Sequence, residues 1–141
     1  MNTTIKKHIC QPIHVVAGVI YSETNQILIA KRAIGGFMPG LWEFPGGKIH
    51  QAEPSVEALK RELREELAIK ITDIFWLMES NHRYHDLAVN LVFYRCQLVK
   101  GCQPKATVHD ELKWIEPKRL QDFDFLEGNR TAIKTILKNQ S

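Results

Sequence analysis

The feature that most constrains this chain is the stretch SVEALKRELREELA, residues 55–68, which follows Pro54. It is rich in helix formers, and Pro54 near the first helical position with Ser55 as a cap predicts a helix from Pro54 to Ala68. At about 100° per residue, Glu62, Glu65 and Glu66 fall within one arc, because positions three and four apart are neighbours. Val56, Leu59, Leu63 and Leu67 lie beside that arc, and Glu57, Lys60, Arg61 and Arg64 fall on the outward side. Three carboxylates thus border the buried stripe instead of opposing it.

Two ionised carboxylates about 6 Å apart repel by about 3 kcal/mol at an effective dielectric of about 20, so such a cluster favours a proton or a cation. A hard divalent ion, Mg2+ or Mn2+, suits oxygen ligands and leaves positions open for substrate phosphates. The alternative is a solvated face on which Glu57 and Arg61 form an i, i+4 pair.

The rest of the chain restricts what surrounds this helix. Its 141 residues, 44% hydrophobic and 25% charged with a net charge of +3, are those of one ordinary folded domain and not of a coiled coil or a disordered segment. Cys10, Cys96 and Cys102 cannot all pair and show no zinc-ligand spacing, which points to a reducing, cytoplasmic setting. No apolar run approaches the roughly 18 residues of a membrane span. MNTTIKKHICQP has no apolar segment behind its lysines, so residues 1–12 read as a short tail and 13–141 as a single domain. The lysines are dispersed and form no block, and the mild positive charge suits a small polyanionic substrate and non-specific nucleic-acid binding equally.

Ile13 to Tyr21 and Gln26 to Arg32 are apolar, β-branched runs separated by Ser-Glu-Thr-Asn, the pattern of a hairpin. Leu41 to Phe44 is a short strand between loops marked by Gly35, Gly36, Pro39 and Gly40 and by Pro45, Gly46 and Gly47. Strands are expected at Ile74 to Tyr84, Leu87 to Val99 and Leu112 to Ile115, and a closing helix at Arg130 to Asn139.

Just before the acidic helix, Gly46 and Gly47 let a ligand approach the backbone, and Lys48 adds positive charge for a phosphate. A plain turn is the alternative. Arg32 ends the second strand, where its fork can clamp phosphate oxygens or simply face solvent.

Taken together, Gly47 to Ile69 reads GKIHQAEPSVEALKRELREELAI and closely resembles the Nudix box, G-x5-E-x7-R-E-U-x-E-E-x-G-U, with U a bulky apolar residue. Gly47, Glu53, Arg61, Glu62, Leu63, Glu65, Glu66 and Ile69 match, and Ala68 stands where the family has glycine. LWEFPGGKI, from Leu41, resembles the MutT branch of 8-oxo-dGTP diphosphatases. The resemblance implies an α+β fold, a Nudix-type α/β/α sandwich with a mixed β-sheet. It also implies Mg2+- or Mn2+-dependent hydrolysis of a nucleoside triphosphate to the monophosphate and pyrophosphate, by a monomer that cleans the nucleotide pool, with no membrane or stable nucleic-acid partner.

Carried onto this chain, the resemblance gives Glu62, Glu65, Glu66 and the Gly46 carbonyl as metal ligands, and Glu62 as the group that activates water. Arg61 would orient the glutamates and Glu53 would brace the loop. Relatives often carry a further glutamate six residues before the tryptophan matching Trp114, where this chain has Val108; either Asp110 or Glu111 supplies a substitute carboxylate or none is needed. Asn129 matches an asparagine that reads the base, although it also suits a helix N-cap. Phe44 and Tyr84 would line the base pocket. CTP or 5-methyl-dCTP hydrolysis is the sibling activity, and a non-catalytic nucleotide sensor is the alternative from another class.

Overall fold

The computed structural model describes residues 11–139, so Cys10 and most of the expected N-terminal tail lie outside the described residues. Seven strands form one sheet: β1 (Ile13–Tyr21), β2 (Ile27–Lys31), β3 (Trp42–Glu43), β4 (Gly46–Lys48), β5 (Ile71–Tyr84), β6 (Leu87–Leu98) and β7 (Glu111–Ile115). Helix α1 (Ser55–Leu67) joins β4 to β5, a 3-10 helix spans Pro117–Asp122, and α2 (Glu127–Lys138) ends the fold. The strand order is β3-β2-β1-β6-β5, with β4 also paired to β1 and β7 to β2. β1 runs parallel to β6 over its whole length, Ile13 opposite Val89 and Tyr21 opposite Gln97, whereas the other pairings are antiparallel. The sheet is therefore mixed, as expected.

β1 is apolar at nearly every position because both faces of the sheet are covered. Alternate residues serve different layers: Val16 and Ile20 pack with Leu28, Cys96 and the α1 residues Leu59, Leu63 and Leu67. Ala17 and Val19 pack on the other face with Phe93 and the α2 residues Ala132, Ile133 and Ile136. Burying Leu59, Leu63 and Leu67 contributes roughly 1.5–3 kcal/mol each and fixes which side of α1 meets the sheet. The result is the α/β/α sandwich that the sequence implied.

Several local expectations are corrected. Ser55 is not the cap of α1: Pro54 takes the N-cap position without a side-chain bond, and the Ser55 hydroxyl pairs with the Tyr94 hydroxyl at 2.6 Å. Arg61 does not face outward; the loop before α1 folds back over it and leaves the side chain 16% exposed. Glu57 therefore pairs with Lys60 at 3.8 Å instead of Arg61. Gly46 and Gly47 do not interrupt the sheet but form β4, because the adjacent β1 backbone offers pairing partners that a local reading cannot see. α2 begins at Glu127, ahead of Arg130, so Asn129 lies inside its first turn and Leu126 occupies the cap position. The N-cap alternative for Asn129 is thereby excluded.

Ala68 ends α1 where the family's glycine would, at φ 58° and ψ 37°, with its N–H directed to the carbonyls of Arg64 and Leu63. The helix is neither lengthened nor redirected; alanine adopts the left-handed conformation and carries its steric cost.

Candidate active site

The glycine pair sets the geometry. In β4, Gly46 lies opposite Ala17 and Gly47 opposite Val16. A Cβ on Gly46 would run into the Val16 carbonyl oxygen, and one on Gly47 would run into the Glu62 carboxylate. The first glycine lets two backbones meet, and the second leaves a hollow that a carboxylate fills.

Arg61 locks this junction. Its Nε donates to Glu53 Oε2 at 2.8 Å and its NH2 to Glu53 Oε1 at 3.0 Å, a two-point clamp. NH2 also donates to the Lys48 carbonyl at 3.0 Å, and NH1 stands 3.3 Å from both Glu62 Oε2 and Glu65 Oε1. One guanidinium thus ties α1 to the end of β4 and to Glu53 in the connecting loop. The Arg61 bonds, and then the His50 N–H, hold the Glu53 carboxyl down at about 2. Glu66 behaves oppositely: burial, and then the charge of Glu62, push its carboxyl up to about 7. Burial and a neighbouring carboxylate both disfavour the ionised form of Glu66, so positive charge arriving beside it is favoured, although Arg61 already meets Glu62 from one side.

Glu62 and Glu66 line a cavity of about 590 Å3, together with Gly46, Gly47 and Lys48. Glu65 does not line it; its side chain is 56% exposed and reaches Arg61 from outside. Among the described residues no three acidic, imidazole or thiol side chains already stand at metal-holding distance. A hard cation here would draw on Glu62, Glu66 and the Gly46 carbonyl at the wall, with Glu65 swinging inward. The Glu66 carboxyl, pushed up by burial and by Glu62, and the all-oxygen donor set fit such an ion.

The cavity is also lined by apolar side chains with a few polar anchors among them. Asn129, 4% exposed, accepts the Phe44 N–H on Oδ1 at 2.8 Å, so its NH2 remains to donate. Tyr84 accepts the Gly128 N–H at 2.6 Å and meets Phe37 edge-on at 6.3 Å between ring centres. Phe44 lines the cavity but packs chiefly into the core against Phe93 and Phe125. Arg32 lies at the cavity, its Nε donating to the Phe37 carbonyl at 2.6 Å and its NH1 to Glu43 Oε1 at 2.7 Å. Asp110 and Glu111 do not line the cavity: Asp110 accepts the Ile34 N–H at 3.1 Å and Glu111 pairs with Lys113 at 3.1 Å.

Glu43 and His109 also line the cavity and are not among the site residues that the sequence suggests. Glu43 Oε2 stands 2.9 Å from His109 Nε2, and the imidazole is 5% exposed. Both charges act on Glu66. The available signal was an acid in the LWEF strand and a histidine beside Val108, but their meeting depends on β2 pairing with both β3 and β7.

Comparison with known proteins agrees with this geometry. The chain matches the NUDIX domain over residues 16–135 and belongs to that family. It is 43% identical over 129 residues to the 8-oxo-dGTP diphosphatase of Buchnera aphidicola subsp. Schizaphis graminum, covering 89% of this chain and 93% of the relative. It is 34% identical over 125 residues to the CTP pyrophosphohydrolase of Escherichia coli, covering 89% and 91% respectively. The solution structure of the E. coli ORF135 protein superimposes with a TM-score of 0.79 at 27% identity, over 93% of this chain and 92% of that one. The protein is therefore a Nudix hydrolase, acting on phosphoanhydride bonds of nucleotides. Within that class it falls in the MutT, or 8-oxo-dGTP diphosphatase, branch, whose fold generally works with Mg2+ or Mn2+. No described helix is long and apolar enough to cross a membrane.

Proposed function

We propose that the protein hydrolyses 8-oxo-dGTP to the nucleoside monophosphate and pyrophosphate, acting as a monomer on the free nucleotide pool of the cytoplasm and so averting mutation. The observation that carries this reading is one cavity lined both by an acid pair and by a buried asparagine donor. Glu62, Glu66, the Gly46 carbonyl and, after a swing of its long side chain, Glu65 would hold the divalent cation. When bound, that ion supplies charge neutralisation at the phosphate oxygens.

The chain's own groups do the rest. Arg61, fixed by Glu53 and the Lys48 carbonyl, holds Glu62 against the Gly47 hollow. Glu62 accepts the proton of the attacking water, Lys48 and Arg32 orient phosphate oxygens, and water attack at the β-phosphorus expels the nucleoside monophosphate. The Asn129 NH2 donates to a base carbonyl such as a purine O6, while Tyr84 and Phe44 shape the apolar walls.

The same donor favours a second reading. With Oδ1 already bonded to Phe44, Asn129 offers donors only, which also suit the carbonyl of cytosine. Catalytic efficiencies for 8-oxo-dGTP, dGTP, CTP and 5-methyl-dCTP, measured by pyrophosphate release with Mg2+, separate the two. At least about tenfold preference for 8-oxo-dGTP over dGTP is expected; preference for a cytosine nucleotide overturns the base assignment, and nucleotide binding without any release favours a sensor.

A further inference from the structure

Arg32, Glu43 and His109 form a continuous hydrogen-bonded chain beside the cavity that all three line. Arg32 follows β2, Glu43 ends β3, and His109 stands just ahead of β7, so the chain links three paired strands. Backbone bonds fix its footing: the Arg32 N–H donates to the Leu41 carbonyl at 2.9 Å, and the Asp110 N–H to the Lys31 carbonyl at 3.0 Å. Arg32 Nη1 donates to Glu43 Oε1 at 2.7 Å, and His109 Nε2 stands 2.9 Å from Glu43 Oε2. A carboxylate paired with a guanidinium can only accept, so Nε2 is the donor. Both oxygens of Glu43 are thereby held, one from each side.

The imidazole is 5% exposed, and Nδ1 is buried with no partner among the described residues. The ring therefore commits its hydrogen bonding to Glu43 alone, and what its burial supplies is a fixed donor to that carboxylate. Arg32 needs such support, because its other anchor, the Phe37 carbonyl 2.6 Å from Nε, belongs to the loop that carries Gly35, Gly36 and Gly40. Nε and Nη1 are committed, while Nη2 has no hydrogen-bond partner among the described residues and stays free for an anion in the cavity. A long side chain fixed before the ligand arrives loses no further freedom on binding. We propose that His109 is a positioning residue for the phosphate end of the site: by pinning Glu43 it keeps the Arg32 fork aimed at the phosphate oxygens of the substrate.

The inference rests on the reading of Arg32 as a phosphate contact, and the test separates the two. KM and kcat for the triphosphate, and the inhibition constant of inorganic pyrophosphate, are measured with Mg2+ for wild type, Arg32→Ala, His109→Gln, His109→Asn, His109→Ala and the double variant R32A/H109A. Rotation of the Arg32 guanidinium is followed in the metal-free protein by 15N–1H line shapes, assigned by their loss in Arg32→Ala. The Gln carboxamide reaches the Nε2 position and can donate to Glu43, whereas the Asn carboxamide reaches only the Nδ1 position. H109Q is expected within about twofold of wild type, whereas H109N and H109A raise KM and the pyrophosphate constant about 3- to 10-fold with kcat little changed, and speed the rotation. Without Arg32, the H109A step is expected to add less than about twofold. An Arg32 rotation unmoved by H109A, or an H109A loss that persists in full in the R32A background, overturns the role of His109. An Arg32→Ala enzyme with unchanged KM and pyrophosphate constant defeats the phosphate reading of Arg32 itself, and the inference with it. Should the His109 variants fail to fold, the native protein decides: resolved, slowly rotating Arg32 Nη protons are expected, and an averaged signal overturns the proposal.

Discussion

Replacing each of two adjacent glycines by alanine separates the fold from the site. At Gly47 an added Cβ would stand 2.7 Å from Glu62 Oε1 and closer to the rest of that carboxylate. Ordinary contact begins at about 3.4 Å, so the carboxylate must retreat by about 1 Å, which its flexible side chain can do. Gly47 is not among the glycines with positive φ, so alanine meets no backbone strain there. A displacement of about 1 Å at a reacting group costs on the order of 100-fold in rate, equivalent to about 2.7 kcal/mol of barrier. Gly47→Ala is therefore expected to lower kcat about 100-fold while changing stability by less than about 1 kcal/mol. At Gly46 the obstacles are the Val16 carbonyl and, at 2.7 Å, Ala17 Cα, both backbone. The β1–β4 pairing must part, costing about 3 kcal/mol and lowering Tm by roughly 10 °C. Pyrophosphate release at saturating nucleotide and thermal denaturation measure both effects. A Gly47→Ala enzyme within about threefold of wild type would refute the argument that the hollow positions Glu62.

Other consequences follow from single contacts. Ala68→Gly relieves a left-handed alanine and should stabilise by about 0.5–1 kcal/mol, raising Tm by about 2–4 °C without altering kcat; an unchanged Tm contradicts the strain at φ 58°. Glu53 has a folded pKa of about 2, below its ordinary 4.5, so its pairing with Arg61 stabilises the fold above pH 4.5 and is lost as pH falls toward 2. Glu53→Gln should flatten the acid limb of stability in that window, as followed by denaturant unfolding at stepped pH. Asn129→Asp keeps an acceptor for the Phe44 N–H but removes the donor facing the cavity, so Tm should hold while kcat/KM for the preferred nucleotide falls at least about tenfold. Equal losses of Tm and kcat/KM would mean that Asn129 only supports the backbone.

The sequence reveals what depends on spacing along one element. The i, i+3, i+4 pattern puts Glu62 and Glu66 beside the buried Leu59 and Leu63, and the apolar runs mark β1, β2 and β6 as strands. Groups brought together by long-range pairing are less legible. Gly46 and Gly47 read as a turn because nothing local reveals that β1 lies alongside. Arg61 reads as outward on the wheel because the clamp by Glu53 and the Lys48 carbonyl comes from a loop that returns over the helix. The Glu43–His109 contact joins residues 66 positions apart through two edges of β2 and has no local signature. Asn129 was legible as a residue type but not in its commitment, since only the structure shows Oδ1 bonded to Phe44.

The central claim is that the acid pair beside the glycine strand directs water onto a nucleotide phosphoanhydride. Turnover of 8-oxo-dGTP in 18O-labelled water with Mg2+, comparing the native protein with Glu62→Gln, tests it most directly. The expected result is equimolar nucleoside monophosphate and pyrophosphate with the label in pyrophosphate, and a rate reduced at least about 100-fold in a Glu62→Gln protein of unchanged fold. Undiminished turnover by Glu62→Gln, or label carried by the monophosphate, would contradict the account.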